Sequence, residues 1–88
     1  EMLLGQVLVD AGRKDEAGEH YLNGLAVAEA NDFRMLQGEL LARLGEVETD
    51  RSARMNYLQR SLTVFRELGA VDRMRDVQTA VHRAIMGH

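Results

Sequence analysis

Cysteine, proline and tryptophan are all absent from this 88-residue chain, and each absence narrows what it can do. Without cysteine there is no disulfide framework, no thiolate zinc site and no thiol nucleophile, and the redox compartment leaves no trace. Aromatic residues are scarce, two Tyr and two Phe, which leaves little for stacking on nucleic-acid bases. No apolar run approaches the roughly 18 residues of a membrane span, and the chain does not open on a secretory-signal pattern. Isoleucine occurs once, so the apolar set is carried by 12 Leu, 10 Ala, 8 Val and 5 Met. Unbranched side chains lose little rotamer freedom on a helix, and this balance favours helix over strand. With 28% charged and 45% hydrophobic residues the chain is not a disordered tail. Its length allows one small domain, residues 1–88, or a slice of a larger protein. A cytoplasmic setting away from membranes is expected.

Charge separates along the chain. Residues 1–50 hold eleven acids against Arg13, Lys14, Arg34 and Arg43. Residues 51–88 hold seven arginines against Glu67, Asp72 and Asp76. The formal net charge of −3 therefore hides an acidic half and a basic half, which can steer partners or favour head-to-tail contact.

Hydrophobic periodicity predicts five helices. The first covers residues 1–11, with Leu4, Leu8 and Ala11 on one face, and stops at Gly12. The second covers 15–30, with Ala17, Tyr21, Leu25 and Ala28 aligned; Gly18 and Gly24 inside it suggest close helix–helix approach. Asn31-Asp32 breaks the chain and can cap the next helix. The third covers 33–47 with a stripe of Leu36, Leu40, Leu44 and Val47, and Thr49-Asp50 supplies the following turn and cap. The fourth covers 51–68 with Ala53, Tyr57, Val64 and Leu68 on one face and Gly69 at its C-terminus. The fifth covers 71–86 with Met74, Val77, Val81 and Ile85 aligned. Short linkers make consecutive helices antiparallel neighbours, an all-α arrangement.

The pattern repeats. A shift of 36 residues brings Leu4 onto Leu40, Leu8 onto Leu44, Ala17 onto Ala53 and Tyr21-Leu22 onto Tyr57-Leu58. A further shift of 37 carries Leu40 to Val77, Leu44 to Val81 and Val47 to Ala84. Periods of 20 to 50 residues point to solenoids.

In Leu4-Gly5-x2-Leu8, Gly12 and Ala17-x3-Tyr21, and again in Leu40-Leu41-x2-Leu44 and Ala53-x3-Tyr57, the chain resembles the tetratricopeptide repeat. Glu1 stands where that pattern has Trp, Glu29 where it has Pro, and Leu41 replaces the second glycine. The spacing is two residues long, similar to the degenerate bacterial members found in regulators. The resemblance implies antiparallel hairpins stacked as a right-handed α-solenoid of about two and a half repeats. It also implies a protein–protein interaction scaffold whose first helices line a concave groove for a partner peptide or helix. Carried over residue by residue, that groove is expected to use Met2, Gln6, Val9 and Asp10 from the first segment. The third segment would add Gly38, Ala42, Gly45 and Glu46, and the fifth Arg75, Thr79, His82 and Arg83. Helix periodicity places all of them off the apolar stripes, partly exposed. Asp10 and Glu46 would favour a basic partner. Two and a half repeats also suggest a fragment of a larger bacterial regulatory protein, or a unit that self-associates as a homodimer through its terminal helices.

Catalytic and metal chemistry find no support. His20 follows Glu16 by one turn on a solvated face, His82 neighbours Arg83, His88 is terminal, and no H-E-x-x-H spacing occurs. Ser52 and Ser61 lack a glycine-flanked elbow, and the glycines are scattered singly. Glu46 and Glu48 have no apolar pocket to tune them. No cofactor and no enzymatic activity are expected. Nucleic acid is disfavoured by an isoelectric point near 5.5 and by interspersed arginines that read as solvated helix faces, with Glu67 and Asp72 at hand. The methionines read as core filler.

Overall fold

The computed structural model of the chain describes residues 14–86, and among them every regular element is a helix. The helices are α1 (Lys14–Ala30), α2 (Arg34–Val47), α3 (Arg51–Leu68) and α4 (Val71–Met86). They correspond to the second to fifth expected segments, with boundaries within one residue. The expected first helix, residues 1–11, lies outside the described residues.

Each helix packs antiparallel on the next in sequence. Gly24 of α1 faces Leu40 of α2, while Gly18 faces Val47. Gly38 of α2 lies under Phe65 of α3, and Gly45 under Leu58. At the last hairpin the Arg51 Nη2 donates to the Ile85 carbonyl at 3.3 Å, joining the start of α3 to the end of α4. The core follows the same order. Leu25, Leu41, Leu44 and Val64 form one buried cluster among α1, α2 and α3. Leu58, Phe65, Val77 and Ala84 form a second between α3 and α4.

The α2·α3 contact is the closest. A Cβ built on Gly38 would stand 2.6 Å from Phe65 Cε1, and one on Gly45 would stand 2.6 Å from Leu58 Cδ2. Two glycines seven residues apart therefore receive two large side chains seven residues apart on the opposing helix, knobs set against bare backbone. Between them the Ser61 hydroxyl, fully buried, donates to the Gly38 carbonyl at 2.7 Å. Sequence reasoning expected the close approaches at Gly18 and Gly24. Gly24 has Leu40 Cδ1 at 3.2 Å from the same constructed Cβ, but Gly18 has only Val47 Cγ2 at 4.0 Å, an ordinary contact.

The apolar stripes are rotated in part: Leu25, Ala28, Leu44, Val47, Val64 and Val77 are buried as expected. Leu36, Leu68 and Ile85 are exposed, whereas Gln37, Gly38, Leu41 and Gly45 are buried on α2 and Leu58, Ser61 and Phe65 on α3. Small and polar residues took core positions because the helices approach closely there. Gln37 is satisfied by two bonds: its Nε2 donates to the Ala28 carbonyl at 3.2 Å, and its Oε1 accepts from Arg34 Nη1 at 2.9 Å.

The turns after α1 and α3 are the same motif. Gly69 has φ 70°, its N–H donates to the Arg66 carbonyl, and the Ala70 N–H donates to the Phe65 carbonyl. Asp32 has φ 56°, its N–H donates to Glu29, and the Phe33 N–H donates to Ala28. Both are left-handed Schellman closures. Asp32 therefore ends α1 instead of capping α2, whose N-cap Phe33 makes no side-chain cap bond. Asp50 does cap α3, accepting from the Ala53 N–H at 2.9 Å. The pair makes a matched test. Asp32→Gly relieves a left-handed L-residue and is expected to raise stability by about 0.5–1 kcal/mol. Gly69→Ala is expected to lower it by about 1 kcal/mol, because nothing lies within 4 Å and only backbone strain changes. Thermal unfolding of the two variants, moving in opposite directions, checks both.

The arginines find their carboxylates on other helices rather than one turn away. Arg34 pairs with Glu67, Arg73 with Glu39, and Arg60 with Glu29 at 3.9 Å. All three are solvent-facing, where such pairs contribute little more than about 0–1 kcal/mol.

Candidate functional site

The helices α2 and α4 are not consecutive, yet their flanks face one another across α3. On α2 the residues Glu39, Ala42, Arg43 and Glu46 recur at the three- and four-residue spacing of one helix face. On α4 the facing stripe is Arg73, Asp76, Val77, Ala80, Arg83 and Ala84. Phe65 and Leu58 of α3 close the bottom. The result is an open cleft in two sections. One of about 230 Å³ is lined by Glu39, Ala42, Arg43, Glu46, Phe65, Arg73, Asp76 and Val77. The other, of about 210 Å³, is lined by Gly45, Glu46, Arg54, Leu58, Ala80, Arg83 and Ala84. Glu46 borders both. The Arg73–Glu39 ion pair spans the cleft from α4 to α2.

Several expected groove residues are not where helix periodicity put them. Ala42, Glu46 and Arg83 do line the cleft. Gly38 and Gly45 are buried rather than partly exposed, because α3 uses them as its contact surface. Gly38 is absent from the cleft lining, while Gly45 lines its second section. Arg75, Thr79 and His82 are exposed on another flank of α4, and the Thr79 hydroxyl donates to the Arg75 carbonyl. Met2, Gln6, Val9 and Asp10 lie outside the described residues. Sequence reasoning missed Glu39, Arg43, Arg73, Asp76 and Ala80. A signal for part of that set was present: at an offset of 37 residues Glu39 corresponds to Asp76 and Glu46 to Arg83.

The cleft is mixed in charge. Glu39, Glu46 and Asp76 share it with Arg43, Arg54, Arg73 and Arg83, so the acidic character expected from Glu46 is offset on all sides. Arg54 is partly engaged already, since its Nε and Nη2 both donate to the Glu48 carbonyl, at 3.1 and 2.9 Å. Such a surface offers hydrogen bonds and ion pairs at its rim and a narrow apolar strip, Ala42, Val77 and Ala80, along its floor.

Elsewhere the polar side chains have structural or solvated places. Ser61 is committed to the Gly38 carbonyl, Ser52 is exposed, and Glu16, His20 and His82 face solvent. Among the described residues no three His, Cys, Asp or Glu side chains gather as a metal site, and no helix is long and apolar enough to cross a membrane. Compared with protein-family models, curated proteins and solved structures, the chain matches none of them.

Proposed function

We propose that the chain is a non-catalytic protein–protein interaction scaffold of the tetratricopeptide type, a right-handed stack of helical hairpins within a larger bacterial regulatory protein. The cleft between α2 and α4 is its binding surface. One observation carries the reading: two helices a full repeat apart present small residues, Ala42 and Ala80, between charges of both signs across a shared floor. Small residues admit a partner backbone close to the helices, and the flanking charges fix its register. The partner that fits is a protein segment bearing both acidic and basic side chains, where Asp10 and Glu46 alone would favour a basic one. Its affinity comes mostly from apolar contact on the strip and its selectivity from the rim.

Selection of peptides from a random display library on the full chain tests this. Enriched peptides are expected to compete with one another and to lose about tenfold in affinity on Glu46→Arg or Arg83→Glu, both surface changes. Gln59→Glu on the exposed side of α3 is expected to leave them unchanged. No enrichment, or peptides indifferent to both cleft variants, overturns the reading.

A further inference from the structure

The charges along the cleft are ordered. Its first section holds Glu39, Glu46 and Asp76 with Arg43 and Arg73, and its second holds Arg54 and Arg83 with Glu46 at the border. Arg73 is tied to Glu39, whereas Arg43, Glu46, Arg54, Asp76 and Arg83 form no ion pair among the described residues. Arg54 keeps its charge, since the Glu48 carbonyl it binds is neutral. One end of the cleft is therefore net acidic and the other net basic.

Asp76 and Arg83 mark those two ends on one wall. Seven residues of α4 separate them, close to two full turns, so they share one side of the helix roughly 10 Å apart. Both are exposed, and the half-buried Ala80 lies between them, as Ala42 does on the opposite wall. Such a strip suits a helix better than an extended chain. The floor belongs to helices whose backbone groups are already bonded within those helices, so an extended segment finds no backbone partners there, while a helix brings its own. The molecule already contains a match of this kind. Leu58 and Phe65, seven apart on α3, sit over Gly45 and Gly38, seven apart on α2.

Direction follows from the helix dipoles. From the first section to the second, the lining advances from Glu39 to Gly45 along α2 and from Arg73 to Ala84 along α4. Both walls thus turn their negative C-terminal ends toward the second section. A helix running opposite to them places its positive N-terminus there, and an acidic residue ahead of a basic one also agrees with its own dipole.

On the reading of the cleft as the binding surface, we infer that its occupant is a helix of another protein, antiparallel to α2 and α4. An acidic residue of that helix meets Arg83 and Arg54. Seven positions later a basic residue meets Asp76 and Glu46, and apolar side chains between the two rest on Ala42 and Ala80.

Lactam-bridged, alanine-based peptides titrated into the full chain by fluorescence anisotropy test this. One carries Glu at position i, Leu at i+3 and i+4, and Lys at i+7; a second exchanges Glu and Lys; a third interrupts the first with a central proline. The first is expected to bind about tenfold more tightly than the other two. Asp76→Arg, an exposed change, is expected to weaken it about tenfold, and replacing the peptide's Lys by Glu to recover most of that loss. Equal affinity for both charge orders, or for the proline peptide, overturns the inference; if those peptides still weaken on Glu46→Arg, the cleft remains the binding surface. Binding by none of the three also overturns it, and the display selection then decides separately whether the cleft binds protein segments at all. Sedimentation velocity of the chain alone covers the other occupant: a dimer dispersed by Asp76→Arg makes a second copy the occupant and overturns the inference.

Discussion

Truncating Phe65 to alanine is expected to remove about 3–5 kcal/mol of folding stability, the range for deleting a buried aromatic ring. A chain of this length has roughly 4–13 kcal/mol in total, so the variant is expected to be marginal. Phe65 is 1% exposed and belongs to the cluster with Leu58, Val77 and Ala84 that holds α4 to α3. Its other side rests on the backbone of Gly38. A cavity opened there has a glycine for one wall, so position 38 has no side chain to fill it from that side, which puts the cost toward the upper part of the range. Urea unfolding followed by circular dichroism measures it. A loss below about 1 kcal/mol would show that α2 and α3 collapse together.

The reciprocal change, Gly38→Ala, is expected to cost about 2 kcal/mol despite the roughly 1 kcal/mol by which alanine favours a helix over glycine. The new methyl group would stand 2.6, 2.8 and 3.0 Å from Cε1, Cζ and Cδ1 of Phe65, and a ring this deeply buried has nowhere to turn. Either the helices separate or the ring leaves its rotamer. Gly45→Ala meets Leu58 at a similar distance, but a leucine end has more ways to move, and a smaller loss follows. Gly18→Ala is the internal control. With its nearest neighbour at 4.0 Å, it should gain up to about 1 kcal/mol from helix propensity. Combining Gly38→Ala with Phe65→Leu should cost less than the two single changes added together, because the smaller side chain vacates the space the methyl group needs. Strict additivity in that cycle, or a stabilised Gly38→Ala, would falsify the tight seat inferred for Phe65.

Much of the helix layout was legible because its signals are local. Gly69 marks the end of α3 through the left-handed backbone only glycine adopts without strain, and Asp50 marks its start through a carboxylate placed for the free N–H groups of the first turn. The faces were less legible. Periodicity weights Leu and Val, so it drew the buried stripe of α2 through Leu36 and that of α4 through Ile85. The interfaces are in fact centred on glycine, serine and alanine: Gly38, Gly45, Ser61 and Ala84. Small residues carry no hydrophobic signal of their own, and their role appears only when the opposing side chain is known. That rotation is also why the expected groove kept Ala42, Glu46 and Arg83 but included Gly38 and Arg75. Once the apolar stripe is misplaced by part of a turn, every residue assigned beside it moves as well. Asp32 was misjudged for a different reason. Aspartate is a common helix starter, and nothing nearby in sequence reveals that its backbone closes the preceding helix instead.

Among the described residues every close approach at a glycine, Gly24 to Leu40, Gly38 to Phe65 and Gly45 to Leu58, joins a helix to the one that follows it. The ion pair between Arg34 and Glu67 likewise joins α2 to the helix that follows it. Contacts that skip a helix are confined to surface ion pairs such as Arg73 with Glu39, the shared cleft and the edge of one core cluster, so mostly short loops must close during folding and the entropic barrier to each is low. On a ribosome, α2 has its seat on α1 before α3 has emerged, and α3 finds Gly38 and Gly45 already in place. Damage at α4 is correspondingly felt first at α3, whose Leu58 and Phe65 share their cluster with Val77 and Ala84, and less at the α1–α2 pair.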